Sequence, residues 1–180
     1  MRSVKVAMLA LVFLLSACQK QTPALLPHPA PSEPDEVLFN STITLTSRGT
    51  LTSQIKADRI VRYANREPMF LYDINGIFYD SSGNEQARVT ADSGTAVERT
   101  RYVELRGQVK VLYANGTEID ADSLKWDQAN GRVMTEGFVK IVKKDGSILT
   151  GSGLVTDPHF TSYHLKNPAG EVKVPKEETE

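Results

Sequence analysis

The sequence has little of what usually carries enzymatic or metal chemistry. Its 180 residues include one cysteine, three histidines and one tryptophan, so the chain can form neither an internal disulfide nor a zinc site with paired cysteines. Its 21 Lys or Arg and 22 Asp or Glu nearly balance, which is not typical of a nucleic-acid-binding protein. The length suffices for one domain with a core, or two small ones. We predict no cofactor and no nucleic-acid partner.

Long apolar runs are also scarce, and the run of ten residues at Val6–Leu15 follows a basic N-terminus. It has about half of the ~20 residues that a membrane-spanning helix needs, which is typical of a secretory signal peptide. It ends at Leu15-Ser16-Ala17-Cys18, which resembles the lipobox of bacterial lipoproteins. That resemblance implies a signal peptide over residues 1–17 and a lipid-modified Cys18 that anchors the mature chain without spanning the membrane. An ordinary secretory signal or a short anchor helix is the alternative.

Proline is concentrated after this segment, since five of the nine prolines lie between Gln19 and Glu36. Proline fixes the φ angle and lacks an amide donor, so this stretch is expected to be extended and without a core of its own. We predict a lipidated cysteine and tether over 18–36, a folded domain over 37–175 and a disordered tail over 176–180.

From Val37 onward, apolar and polar residues alternate with a period of two. In Val103–Val111, for example, the odd positions are valine or leucine except for Gly107, and the even positions are Glu104, Arg106, Gln108 and Lys110. Alternation of this kind indicates strands with one buried face, and no window of the sequence carries a convincing helical stripe. The chain is therefore predicted to be all-β and antiparallel.

Turn signals recur at even spacing along this region. Asn115-Gly116, Asn130-Gly131 and Asp145-Gly146 each suit a tight turn that needs a positive φ angle. The segments between them are longer than an ordinary strand, so each is expected to bend near its middle, at a small residue. The positions predicted to allow bends or close approaches are Gly49, Gly107, Gly137, Gly151 and Gly153, with Ala121 as a further candidate. Arginine at Gly107 or Gly137 is expected to block strand packing or the space between the layers.

Two segments are repeated thirty residues apart in the sequence. Ala91-Asp92-Ser93 recurs as Ala121-Asp122-Ser123, and Gly107–Val111 recurs as Gly137–Ile141. A repeated unit of two bent strands stacks into an open-ended structure with two layers. The prediction is a β-jellyroll, a folded-over sheet whose two layers turn their apolar faces inward.

These inward faces would line either an apolar trough or an ordinary closed core. Alternation alone does not separate the two, because every β-sandwich alternates in this way. The residues that we expect to line a trough and bind lipid are Ile43, Leu45, Ile55, Val61, Val103, Leu105, Val109, Val111, Val139 and Ile141.

The aspartates of the repeat are the main alternative site. Asp58, Asp92 and Asp122 recur in register, and paired carboxylates can serve a glycosidase or a metal site. Repetition at fixed intervals instead favours a turn or edge-capping role. No spacing suggests a Ser-His-Asp or Cys-His arrangement, so we predict no enzymatic activity and no metal. Trp126 and the aromatic residues within Phe70–Tyr79 are interpreted as packing residues rather than a sugar-binding surface.

Six sequence marks occur in the order and spacing of a known family. They are Ser47-Arg48-Gly49, Ile55-Lys56-Ala57-Asp58, Thr90-Ala91-Asp92, Val103–Val109, Leu124–Asp127 and Gly151–Leu154. Together they resemble the LptC family, the periplasmic component of the ABC transporter that exports lipopolysaccharide, over roughly residues 39–172. The soluble bridge protein LptA has the same repeat.

The resemblance implies a β-jellyroll without catalysis that accepts lipopolysaccharide from an LptBFG-like transporter and passes it to an LptA-like bridge protein. The acyl chains of lipid A would travel in the trough. Exposed edge strands would pair main chain to main chain with the neighbouring proteins. A structural envelope lipoprotein that only docks partners through its edges is the alternative.

Two features depart from the family pattern. Members commonly have an N-terminal transmembrane helix, where this chain has a lipobox and a proline-rich tether. Gln19 follows Cys18, where an aspartate would be the familiar signal for retention at the inner membrane. We expect a lipid-anchored domain on the periplasmic side of the inner membrane, with sorting to the outer membrane left open.

Overall fold

Nine β-strands are present in the part of the chain that the structure describes, which confirms the all-β prediction. The computed structural model describes residues 33–63 and 66–171, and these ranges contain no helix. The strands are β1 (Glu36–Ser47), β2 (Thr50–Tyr63), β3 (Arg66–Tyr79), β4 (Glu85–Val97), β5 (Tyr102–Tyr113), β6 (Glu118–Asp127), β7 (Arg132–Val142), β8 (Ile148–Thr156) and β9 (Tyr163–Glu171). The predicted signal peptide, Cys18, most of the tether and the tail over 176–180 lie outside the described residues. The domain boundaries at 37 and 175 remain predictions.

The strands form one open sheet in the order of the sequence, and every neighbouring pair is antiparallel. Within the two described ranges, β1 and β9 are the edges of the sheet and do not pair with each other. At the predicted turns, Gly116, Gly131 and Gly146 have φ angles of 83°, 61° and 81°. Glycine adopts this left-handed conformation without steric strain, so the turn chemistry of the sequence sets where the chain reverses.

The long strands change conformation near their middles, along a line across the sheet that we call the crease. In β2, β4 and β6 the crease lies at the repeated Ala-Asp pair, where consecutive buried residues are three apart instead of two. These pairs of buried residues are Ala57 and Ile60, Ala91 and Gly94, and Ala121 and Leu124. Because side chains alternate across a strand, a spacing of three moves the inward-facing set from odd to even positions or the reverse.

Other strands cross the crease with a left-handed residue. The φ angle is 47° at Asn40 of β1, 53° at Asp73 of β3 and 48° at Asn167 of β9. In β5 both Gly107 and Gln108 are left-handed, at 75° and 43°, and the pairing of β5 with β4 and β6 shifts register there. Irregularities of this kind bend a strand and increase its local twist, so a row of them lets the sheet fold over.

The glycines predicted as bends fall into two groups. Gly107 lies at the crease, Gly137 lies within a register shift between Thr135 and Phe138, and Gly151 and Gly153 lie within shifts between β8 and β9. Ala121 is the last regularly paired residue before a shift between β6 and β7. Gly49 instead forms the turn between β1 and β2 together with Arg48, so it reverses the chain and bends no strand.

The repeated aspartates lie in the interior of the sheet, so the prediction that they occupy turns or edges is wrong. Asp58, Asp92 and Asp122 stand in the middle of β2, β4 and β6, each directly after the alanine that ends one inward-facing set. A Cβ atom added to Gly107 would lie only 2.9 Å from the Cβ and Cγ atoms of Asp92. The glycine of one repeated segment therefore makes room for the aspartate of the other.

The two halves of the sheet face each other across the crease. The ring centroids of Phe78 on β3 and Trp126 on β6 are 5.1 Å apart, although β4 and β5 lie between these strands in the sheet. In a flat sheet, strands three positions apart are separated by about 14 Å. The contact between the rings is therefore made across two layers of one folded-over sheet, an arrangement consistent with a β-jellyroll.

The core is most tightly closed over the central strands. Val109 of β5 and Val139 and Ile141 of β7 have exposed fractions of 0%. The edge strand β1 is open by comparison, since Phe39 is 67% exposed and Leu45 is 40% exposed. Full burial of a valine, isoleucine or leucine side chain contributes roughly 1.5–3 kcal/mol. The stabilising burial is thus concentrated away from the β1 edge.

The connection between β8 and β9 packs against this core. Phe160 stacks on Tyr113, with ring centroids 5.5 Å apart, and on Tyr163, at 4.9 Å. The carboxylate of Asp157 accepts hydrogen bonds from three backbone amides of the loop, those of His159, Thr161 and Ser162. Desolvation alone would raise the pKa of Asp157, but these hydrogen bonds outweigh it and hold the pKa well below its usual range. The loop is therefore fixed by an ionised side chain.

Candidate functional site

An apolar cavity of about 470 Å³ lies between the two layers, beside the β1 edge. Strands β1 to β6 all contribute to its wall, and aliphatic and aromatic side chains make up most of the lining. Leu45, one of the lining residues, is also exposed on the edge strand, so the cavity continues to the surface there. We call this space the trough.

Half of the predicted lining residues are brought together around the trough. These are Ile43 and Leu45 of β1, Ile55 of β2, and Val103 and Leu105 of β5. The other five are buried in the core without lining it: Val61, Val109, Val111, Val139 and Ile141. The inward face of the sheet therefore lines the trough near β1 and forms closed core near β7. The alternation of apolar and polar residues does not encode this difference.

Sequence reasoning missed the contribution of β3 and β4 to the trough. Met69 and Leu71 line it from before the crease, and Ile74 and Phe78 line it from after the crease. The inward positions of β3 change from odd to even because Asp73 is left-handed, which hides the period-two pattern. The signal that could have found them is an aspartate flanked by apolar residues three apart, as in Leu71-Tyr72-Asp73-Ile74.

The mouth of the trough is polar at the end where the β4–β5 turn lies. Arg62, Glu98, Arg101 and Gln128 line this end. The Arg62 guanidinium lies 3.2 Å from the Glu98 carboxylate, a surface ion pair that contributes little to stability. An apolar interior with charged groups at one end can hold an amphiphile, with its chains inside and its polar part in water.

A second cavity, of about 270 Å³, lies on the other side of Phe78 and Trp126, toward the loop between β8 and β9. Phe78 and Trp126 line both this cavity and the trough, so the pair of rings stands between them. Tyr113 lines the far side, and its pKa is raised to about 12 by burial, with the nearby Asp157 charge adding to the shift. The phenol therefore stays neutral at physiological pH, and the wall of this cavity carries no charge at that point.

Within 33–63 and 66–171, no group of three or more Asp, Glu, His or Cys side chains is placed to hold a metal ion. The same ranges contain no helix of the length and apolar character required to cross a membrane. The apolar run Val6–Leu15 lies outside these ranges.

The two edge strands are the remaining candidate surfaces. On β1 the exposed apolar side chains are Val37, Leu38 and Phe39, at 38%, 37% and 67% exposure. An edge strand also presents unpaired backbone amide and carbonyl groups, which can pair with a strand of another chain. The β1 edge therefore combines main-chain pairing groups with an apolar surface next to the trough.

Comparison with known proteins agrees with this geometry. A family model described as lipopolysaccharide-assembly, LptC-related, matches residues 5–169 of the chain. The match begins within the N-terminal segment, ahead of Cys18, and ends in β9. No functionally curated protein matches the chain.

Proposed function

Because the chain belongs to the LptC family and so takes part in lipopolysaccharide transport, we propose that its trough carries the acyl chains of lipopolysaccharide. The observation that supports this proposal is the apolar cavity of about 470 Å³ between the layers, which continues to the surface at an edge strand. Acyl chains are held in the trough while phosphates and sugars stay in water. The protein acts without catalysis, as a transfer module.

The energetics of the trough suit a carrier that must also release its cargo. Each buried CH₂ group contributes about 0.8 kcal/mol, so a fully enclosed twelve-carbon chain would gain up to ~10 kcal/mol. Because Leu45 is exposed, part of the acyl chain stays in contact with water at the β1 edge, which lowers this gain. An acyl chain held in this way can be released to the next protein.

Transfer between proteins would use the edges of the sheet. An LptBFG-like transporter and an LptA-like bridge protein each pair a strand with β1 or β9, so that the troughs become continuous. The exposed Phe39 gives the β1 edge apolar area for such a contact. A scaffold that docks partners by these edges without binding lipid is the second candidate function, favoured by the same exposed β1 surface.

Photocrosslinking separates the two candidate functions. A benzophenone amino acid at Val103, which lines the trough, is expected to form an adduct with lipopolysaccharide. The matched control carries the same group at Leu112, which lies on the same strand and is 49% exposed. Adducts are read by gel shift, and lipid A extracted from the purified wild-type domain is identified by mass spectrometry. Adducts at neither position, together with no extracted lipid, would leave only the scaffold.

The membrane anchor is the second part of the proposal. Members of the LptC family are periplasmic and associated with the inner membrane. We infer that the protein is held there by acyl groups on Cys18. Stable anchoring of this kind needs two or more acyl chains. Cys18→Ser is expected to move the protein from the membrane fraction to the soluble periplasmic fraction, or to leave it unprocessed at its higher mass.

The control for this anchor experiment is Ser16→Thr, which keeps the cysteine. Mass spectrometry of the N-terminal peptide of the wild-type protein should find the acyl groups on Cys18. A Cys18→Ser protein that stays in the membrane at the processed mass would show that another part of the chain is the anchor.

A further inference from the structure

The two cavities are separated by one pair of aromatic rings. Phe78 on β3 and Trp126 on β6 meet edge to face, with their planes at 78° and their centroids 5.1 Å apart. Val89 is the other residue that lines both cavities, and its side chain is aliphatic. An acyl chain that enters the trough from the β1 side therefore meets this pair before it reaches the second cavity.

Trp126 also brings a buried polar atom to the boundary between the two cavities. Its indole Nε1 is buried and has no hydrogen-bond partner within residues 33–63 and 66–171. An indole nitrogen is a donor only, and a buried donor without a partner is energetically unfavourable. Such groups are rare in folded proteins, and each one requires an explanation.

We propose that the Phe78–Trp126 pair is a divider that sets how deeply an acyl chain enters, and that the Trp126 indole donates a hydrogen bond to an oxygen on that chain. This proposal rests on the function proposed above. An unsubstituted hydrocarbon chain would separate the two rings but would offer no acceptor to the indole N–H group. A chain with a hydroxyl or an ester carbonyl near this point supplies one, so the divider selects oxygen-bearing acyl chains.

The test of the hydrogen bond compares tetradecanoic acid with 3-hydroxytetradecanoic acid as ligands. Each displaces a fluorescent fatty acid from the purified domain, and the wild type is expected to bind the hydroxylated chain roughly tenfold more tightly. Trp126→Phe keeps an aromatic ring but removes the donor, so it is expected to bind both acids equally. Trp126 is the only tryptophan in the sequence, so a change in intrinsic emission on binding reports directly on this position.

The test of the divider uses chain length. Phe78→Ala joins the two cavities, and it is expected to shift the best-bound saturated acid toward longer chains. Phe70→Ala is the matched control on the same strand, because Phe70 packs against Tyr63 and lines neither cavity. If Phe78→Ala does not fold, as judged by circular dichroism, Phe78→Leu provides the same comparison with a smaller change in volume.

The outcomes distinguish this proposal from the function on which it rests. If the wild type binds the two acids equally, or if Trp126→Phe still prefers the hydroxylated acid, the proposed hydrogen bond is wrong. Either result leaves the role of the trough unaffected. An unchanged length profile in the Phe78 variants overturns the divider alone. Failure of the wild type to bind either acid overturns both this proposal and the transfer function.

Discussion

Gly107→Ala is expected to destabilise the domain by about 2–5 kcal/mol. The φ angle of Gly107 is 75°, and left-handed backbone is unfavourable by roughly 1–2 kcal/mol for a residue with a Cβ atom. The added Cβ would also lie 2.9 Å from the Cβ and Cγ atoms of Asp92 and closer still to its carboxylate, and overpacking of this kind costs a further ~1–3 kcal/mol. Both effects act at the crease, on which the folding-over of the sheet depends. Urea unfolding followed by circular dichroism measures the change.

Gly137→Ala is the matched control, since it occupies the equivalent position of the repeat. Gly137 is exposed, is not left-handed, and has only the Thr135 hydroxyl within 4 Å of an added Cβ, at 3.5 Å. Its free energy of unfolding is expected to change by less than ~0.5 kcal/mol. The structure thus separates two positions that the sequence repeat makes equivalent, and the expectation that arginine at Gly137 blocks packing no longer has a contact to support it. Equal losses in the two alanine variants would contradict this distinction.

Leu105→Arg is expected to weaken acyl-chain binding at least tenfold while the domain stays folded. Leu105 lines the trough, so the longer side chain would occupy space that the ligand needs. Enclosing an unpaired guanidinium with an acyl chain would also remove water from a charge, which is strongly unfavourable. A tenfold loss corresponds to about 1.4 kcal/mol, well within the size of this effect. Displacement of a fluorescent fatty acid from the purified variant provides the measurement.

Leu112→Arg is the control for this prediction because it places the same charge on the outer face of the same strand. Leu112 is 49% exposed, and its neighbours Val111 and Tyr113 are buried. We expect wild-type binding and a change in stability within ~0.5 kcal/mol. If Leu112→Arg lost binding and Leu105→Arg kept it, the ligand would lie outside the sheet and the trough would be ordinary core.

Much of the architecture could be predicted because short-range physics decides it. Period-two alternation gives strands, and glycines at the left-handed turn positions give hairpins, so the antiparallel order follows from local residues alone. The role of Asp73 was hidden, because a single left-handed residue reverses which face is buried and breaks the pattern on which the prediction depends. The repeated aspartates were assigned to turns or edges for the same reason. A polar residue that interrupts an alternating pattern suggests a turn unless the position of the crease is known.

The candidate site was predictable only in part, for a different physical reason. Alternation tells which way Leu105 and Val109 point, and both point inward. It does not tell how far apart the two layers are at each position. That distance depends on what covers the far side: Val109 is completely buried, whereas Leu105 lines the trough beside the edge strand β1. The separation of layers is a property of the whole sheet.

The pairing of each strand with only its sequence neighbours has a consequence for how the domain forms. Every hairpin closes a short loop, so the entropy lost before each pairing is small, and a nucleus can arise in any hairpin and propagate. A chain that emerges from a membrane N-terminus first can add each new strand to the previous one as it appears. No strand has to wait for a distant partner, which shortens the time during which apolar edges are exposed to aggregation. Among the described strands, β9 is the last to arrive, and it forms one edge of the finished sheet.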